Sequence, residues 1–287
     1  MMLRRLISFS TNNRRLLLLL IGAWLLWSGA IAGLWLISQQ LAPLSFWWSA
    51  GFIFMQLYLA AQMLLPALLL EPEQRTRGFY LFWLTTLILL TWALHQLPAT
   101  GSWSPLLTAV KSGLLLFTGT LIGVALARYV KRLWEVLPLC LVMMLADFSS
   151  WAIGPTAEFA REIEAYYLDP VGPPPLIDMV LVKFAYPGAP DLVPVFGVSD
   201  WIMVVFFAAL ARRYLINDNL LGPPPSGHYP DRRCGSYLPV SAVALFMAIM
   251  LAHASGSFIP ALPLIVLVVV AFYLLRTLPQ KLFRTKN

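Results

Sequence analysis

The sequence predicts an all-α bundle of about eight transmembrane helices. Of its 287 residues, 60% are hydrophobic and 11% are charged, a composition too apolar for a soluble fold of this length. Apolar runs of roughly 20 residues recur along the chain, and each can cross about 30 Å of hydrocarbon. The basic residues flank these runs, so the net charge of +7 indicates membrane orientation and no nucleic-acid partner.

Eight apolar runs give the predicted spans, and most are joined by short loops. The first run follows the basic segment that contains Arg4 and Arg14, an order typical of signal peptides, and Ala30-Ile31-Ala32 resembles a cleavage site. Because the run continues through "GLWLI" and is long enough to span, we interpret it as a retained first helix. The predicted spans are Leu16–Ile37, Phe46–Leu70, Phe79–Leu97, Leu106–Val130, Leu133–Ile153, Val193–Leu215, Leu238–Ala254 and Phe258–Arg276.

The distribution of lysine and arginine predicts the orientation. All the basic clusters fall on one side of an eight-span count, whereas the long loop between the fifth and sixth spans is acidic. Positive charge is retained in the cytoplasm, so we expect both termini to be cytoplasmic and the long loop to be external. The clusters are Arg4, Arg5, Arg14 and Arg15; Arg75 and Arg77; Arg128, Lys131 and Arg132; Arg212, Arg213, Arg232 and Arg233; and Arg276, Lys281, Arg284 and Lys286.

Four ionisable residues lie inside predicted spans, where charge is costly and usually functional. Lys111 is close enough to the outer end of its span for its long side chain to reach water, and His253 is also close to an outer end. Asp147 and Asp200 have short side chains and need another explanation. No cluster of metal-ligand residues is visible, since the three histidines are scattered along the chain.

The two aspartates are predicted to lie at the same depth on neighbouring antiparallel spans. Asp147 is about six residues before an outer end, roughly 9 Å deep, and Asp200 is about seven residues into the next span, roughly 10 Å deep. Two such carboxyl groups should share one proton. One then activates water while the other polarises a carbonyl group, as in aspartic proteases. A structural carboxylate pair and a proton- or sodium-coupled carrier are the alternatives.

Four segments in the second half of the chain stand out: "LADFSSWAIGPT" around Asp147, "FGVSDWIMVVFFAALARRY" around Asp200, "IPALPLIV" and "MVLVKFAYP". The first two resemble the first catalytic segment and the Gly-x-Gly-Asp segment of the presenilin and signal peptide peptidase family of intramembrane aspartyl proteases. "IPALPLIV" resembles the Pro-Ala-Leu motif, and "MVLVKFAYP" resembles the strand-like segment before the second aspartate. The resemblance covers Leu133 to Arg276, so we divide the chain into an N-terminal membrane region, 1–132, and a presenilin-like catalytic region, 133–287.

The resemblance implies an intramembrane endopeptidase with Asp147 and Asp200 as its catalytic pair and water as nucleophile. It implies no metal or organic cofactor, and substrates that are single-span membrane helices of type II or signal-peptide-like. It also implies a bacterial- or archaeal-like member in a prokaryotic cytoplasmic membrane, in contact with membrane lipid. The residues expected to support the site or bind substrate are Gly197, Ser199, Pro260, Ala261, Leu262, Val180, Leu181 and Val182.

The Pro-Ala-Leu segment and the strand-like segment each have an expected role beside the aspartates. Prolines cost little at a helix start, so Pro260 should begin the eighth helix beside the aspartates. An unwound substrate should pair with the strand-like segment by strand addition, with Val180, Val182 and Phe184 on one face and Leu181 and Lys183 on the other.

The chain also departs from the family pattern. Ala146 replaces the tyrosine before the first aspartate, and Ser199 replaces the second glycine of Gly-x-Gly-Asp. The family usually has nine spans, so one N-terminal span is missing by this count. A catalytically inactive relative is therefore a further alternative.

Overall fold

A computed structural model describes residues 2–41, 45–68, 77–97, 103–169, 174–222, 236–256 and 259–284. These residues form ten α-helices and one small antiparallel sheet. The helices are α1 (Met2–Ser38), α2 (Phe46–Gln62), α3 (Leu64–Leu68), α4 (Arg77–His95), α5 (Ser104–Ala127), α6 (Val136–Ile153), α7 (Pro155–Leu168), α8 (Val198–Arg213), α9 (Val240–Ser255) and α10 (Ala261–Arg284). The strands are β1 (Leu181–Phe184) and β2 (Val193–Gly197).

The predicted membrane bundle is confirmed at the level of its helices. Five helical segments are long and apolar enough to cross a membrane: Leu18–Ser38, Phe46–Leu68, Arg77–His95, Ser104–Ala127 and Leu133–Ile153. α9 and the apolar part of α10, Ala261–Arg276, are shorter. A helix therefore occupies each of the eight predicted spans. Among the described residues, five of these helical segments have the length and composition needed to cross a membrane.

The predicted sixth span, Val193–Leu215, is wrong in its first five residues. Residues 193–197 form strand β2, which pairs with β1, and the helix begins only at Val198. An apolar run rich in valine and phenylalanine satisfies a strand as well as a helix, and here pairing with β1 satisfies its backbone. The long acidic loop also contains a helix that we did not predict, α7, with Glu158, Glu162 and Glu164 on its exposed surface.

The core of the bundle is the interface between α5 and α8. Ten residues of α8 are buried, from Trp201 to Ala211 with one gap. On α5, Gly119 and Gly123 allow the two helices to approach closely: a Cβ atom on Gly123 would lie 2.7 Å from the carbonyl oxygen of Ile202. The indole Nε1 of Trp201 donates to the Leu116 carbonyl at 3.1 Å and to Thr120 Oγ1 at 3.0 Å. Small residues and interhelical hydrogen bonds are the usual means of helix association in lipid.

We predict that Gly123→Ala destabilises the protein, because the new methyl group would meet backbone and the Cβ of Val205 at 2.6 Å. The cost should be about 1–3 kcal/mol from overpacking, or several degrees in the Tm of the detergent-solubilised protein. Gly51→Ala on α2 is the matched control, since nothing lies within 4 Å of its Cβ position and alanine favours a helix. Equal Tm values for the two variants would contradict this account of the interface.

Candidate functional site

Asp147 lies on α6, six residues before the helix ends at Ile153, as the sequence predicted. The backbone N–H of Leu262 is directed at its carboxyl group as a hydrogen-bond donor. The other carboxyl oxygen, Oδ2, is buried and has no hydrogen-bond partner in the described part of the chain. One oxygen of this carboxyl group thus faces a backbone donor, and the other is buried without a donor among the described residues.

Asp200 is the third residue of α8 and lies in its first turn. Its Oδ2 accepts a hydrogen bond of 3.1 Å from the backbone N–H of Gly197, the residue that caps the helix. The prediction that Asp200 lies about seven residues into a helix is therefore wrong, because residues 193–197 form a strand and the helix begins at Val198. A carboxylate at this position is also favoured by the positive end of the helix dipole.

The two carboxyl groups are close enough to interact electrostatically. They come from α6 and α8, and each faces the first turn of a helix: Asp147 faces α10 through Leu262, and Asp200 faces its own helix through Gly197. Backbone N–H groups at helix starts stabilise negative charge without carrying any net charge themselves. In the described part of the chain, neither carboxyl group of the pair forms an ion pair with a lysine or arginine.

The Pro-Ala-Leu segment lies beside Asp147. Pro260 immediately precedes α10, Ala261 is the first helical residue, and Leu262 supplies the N–H that faces Asp147. Pro260 has no N–H to donate, and at this position it withholds nothing from the helix. The contact between this motif and the first aspartate, which the resemblance implied, is present.

The two departures from the family pattern are both exposed in this chain. Ala146 precedes Asp147 on α6, and Ser199 lies in the first turn of α8 between Gly197 and Asp200. A Cβ on Gly197 would lie 3.2 Å from Ser199 Oγ and 3.6 Å from Asp200 Oδ2. The serine hydroxyl is therefore a close neighbour of the backbone that caps the second aspartate.

The strand-like segment forms β1, with one correction. Val180 is the last residue of a short 3-10 turn, Leu176–Val180, and does not belong to the strand. Within β1 the predicted alternation is confirmed, since Val182 and Phe184 are buried and Leu181 and Lys183 are half-buried. β1 pairs antiparallel with β2, with Leu181 opposite Gly197.

The edge of β1 that faces away from β2 is already occupied. Lys183 N–H donates to Ser112 Oγ at 3.0 Å, and Ala185 N–H donates to Gln56 Oε1 at 2.8 Å. Gln56 Nε2 returns a 2.8 Å bond to the Ala185 carbonyl, so one side chain of α2 pairs with the chain as a third strand would. Strand addition to β1, the expected docking mode, therefore conflicts with the structure. The described residues place no strand beyond β2.

Asp178 is a buried acid that the sequence reasoning grouped with the exposed charges of the external loop. It accepts a 2.9 Å hydrogen bond from Tyr167 and forms an ion pair with Lys183, which joins α7 to β1. An apolar neighbourhood, "PLIDMV", was the available signal for its burial. Lys111 lies near Lys183 and Asp178, and His253 stacks on Phe46.

Comparisons with known proteins found no relative of this chain. No protein-family model matches the chain, and neither a curated protein nor a solved structure shows a significant match. Among the described residues, no group of three or more histidine, cysteine, aspartate or glutamate side chains could hold a metal ion.

We predict that Gln56→Leu releases β1 and leaves two buried backbone groups of Ala185 without partners. Each unsatisfied group costs about 1–3 kcal/mol, and amide hydrogen exchange of residues 181–186 should accelerate. Gln62→Leu is the matched control, because Gln62 makes the same pair of bonds with the backbone of Tyr237. It should destabilise the protein similarly but leave exchange in β1 unchanged. Unchanged exchange in Gln56→Leu would show that β1 does not depend on this clamp.

Proposed function

We propose that the chain is an intramembrane aspartyl protease that hydrolyses peptide bonds of single-span membrane helices. The observation that carries the proposal is the acid pair, Asp147 and Asp200, in which each carboxyl group faces a backbone N–H and Asp147 Oδ2 has no donor among the described residues. A carboxylate pair that only stabilised the bundle would be expected to have its buried oxygens satisfied.

The chemistry follows from the two environments. Asp147, one of whose carboxyl oxygens has no donor among the described residues, acts as the general base that takes a proton from water as the water oxygen attacks the peptide carbonyl. Asp200, protonated, gives its proton to the carbonyl oxygen, which produces a neutral gem-diol. Asp147 then returns its proton to the leaving nitrogen while the C–N bond breaks and Asp200 recovers a proton from the diol. Water supplies the oxygen, so the balance needs no metal or organic cofactor.

The substrate-binding edge that we propose is β2, in place of β1. A helix shields its own carbonyl groups, so a substrate must unwind before water can attack it, and an extended peptide can add to an open strand edge. β2 runs directly into Gly197 and Asp200, which would bring the peptide to the acid pair. Pro194 removes one donor from the edge, as is common for edge strands.

We propose the same membrane arrangement that the sequence predicts. Eight spans with cytoplasmic termini would place the acid pair, the sheet and Pro260 toward the external side of a prokaryotic cytoplasmic membrane, so water would enter from that side. Ala146 and Ser199 directly precede the two aspartates. These two departures from the family pattern are the reason to keep a catalytically inactive relative as an alternative.

We predict that Asp147→Asn and Asp200→Asn each reduce cleavage of single-span test peptides by at least about 100-fold, the lower end of what general acid–base catalysis contributes. Both variants should stay folded, as judged by their Tm in detergent. Asp191→Asn, at an exposed position, is the control and should cleave normally. A transition-state analogue of aspartic proteases should block the active protein. Ion-coupled transport without any cleavage would favour the carrier instead.

We predict that the substrate can be cross-linked to β2 and not to β1. In a Cys140→Ser, Cys234→Ser background, Val195→Cys should form a disulfide with a cysteine placed near the scissile bond of a test peptide, because paired strands bring Cα atoms to about 5 Å. Leu181→Cys is the control, since β1 would lie two strand spacings away, about 9.5 Å. Cross-linking through Leu181→Cys alone would overturn the choice of edge.

A further inference from the structure

Another buried acid, Asp218, lies at the opposite end of α8 from the acid pair. It follows α8 by five residues and is 4% exposed. Its Oδ2 accepts a 2.9 Å hydrogen bond from the hydroxyl group of Tyr237, which is itself 1% exposed. The backbone carbonyl of Asp218 accepts from Val240 N–H at 3.1 Å, in the first turn of α9. This carboxyl group therefore lies inside the connection between α8 and α9.

The surrounding backbone is fixed by several hydrogen bonds. Asn219 Oδ1 accepts from Leu238 N–H at 3.0 Å, and Leu220 N–H donates to the Leu238 carbonyl at 3.0 Å. Gln62 of α2 clamps Tyr237 through both its amide nitrogen and its amide oxygen, at 2.8 and 3.2 Å. The two segments that enter and leave the α8–α9 connection are thus held against each other and against α2. Asp218 cannot turn to water without breaking this arrangement.

The titratable groups that face Asp218 come from three helices and the segment before α9. Tyr237 donates to it directly; Tyr273 of α10 is near, but its hydroxyl group donates to the Phe207 carbonyl at 2.8 Å. Arg212 of α8 acts on Tyr237, and Cys140 of α6 acts on Tyr273. The Tyr237 hydroxyl and the backbone N–H of Asp218 itself donate hydrogen bonds to the Asp218 carboxyl group.

We infer that Asp218 is a second proton-binding site, separate from the acid pair, whose proton holds the α8–α9 connection in its packed form. Burial raises the pKa of Asp218 to about 7, although the two hydrogen bonds lower it. Burial and the nearby Asp218 raise the pKa of Tyr237 well above its ordinary value, so the phenol stays a donor. A proton leaves Asp218 near neutral pH, and a buried charge then remains in a closed site.

The sign of the effect on stability follows from these positions. In the unfolded chain an aspartate loses its proton near pH 4, so between about pH 4 and 7 the folded state binds more protons than the unfolded state. Stability from this site is fully present below that window and is lost as the pH rises through about 7. The connection is therefore tighter in mild acid than in mild alkali.

The test uses the full chain in detergent with Asp147→Asn and Asp200→Asn, which removes the two carboxyl groups of the acid pair. Infrared difference spectra should show a protonated-carboxyl band at pH 6 that is lost by pH 8.5, and the Tm should fall by about 3–5 °C between pH 6 and 8. Adding Asp218→Asn should abolish both, whereas adding Asp191→Asn, at an exposed position, should leave both intact.

A second variant keeps the test valid if Asp218→Asn does not fold. Tyr237→Phe removes the hydroxyl group that favours the charged carboxylate, so the midpoint of the carboxyl band should move to higher pH. Absence of the band at pH 6 in the starting protein, its persistence in Asp218→Asn, or a shift to lower pH in Tyr237→Phe would each overturn the assignment.

Discussion

The close packing of α5 on α8 is the interaction on which the rest of the structure depends. Lipid offers no hydrophobic force between helices, so their association rests on close van der Waals contact and hydrogen bonds. Gly119 and Gly123 bring the backbones together, and Trp201 closes the interface with its indole hydrogen bonds. Because Trp201 follows Asp200 directly, the same contact fixes the position of the second aspartate. α5 also holds β1 through Ser112, so one helix positions both the acid and the sheet beside it.

The first aspartate is held quite differently. α6 packs against α7 and α10, and much of its surface is exposed, including Leu141, Leu145 and Phe148. Leu262 of α10 is the backbone that faces Asp147. The pair therefore joins one carboxyl group from the rigid core and one from a peripheral helix.

The sequence predicted the position of every helix in a span, the location of Asp147 on α6 and the alternation within β1. These depend on local composition and spacing. It missed the strand at the start of the sixth span, because hydropathy does not distinguish an apolar strand from an apolar helix. It also missed the occupied edge of β1, because that depends on Gln56 and Ser112, which are more than 70 residues away in the chain. Asp178 was counted as a charge of the long acidic loop and Asp218 was not singled out, since burial outside the spans leaves no periodic signal.

The two glutamines of α2 show how a membrane bundle can contain irregular backbone. Extended chain that is buried against the bundle needs hydrogen-bond partners for its backbone N–H and C=O groups. Gln56 and Gln62 provide them, each with one amide that both donates to and accepts from a single residue, Ala185 or Tyr237. Six residues separate them, about 9 Å along the helix. α2 thus holds the sheet beside the acid pair at one level and the Asp218 connection at another, so a displacement of this helix must strain both.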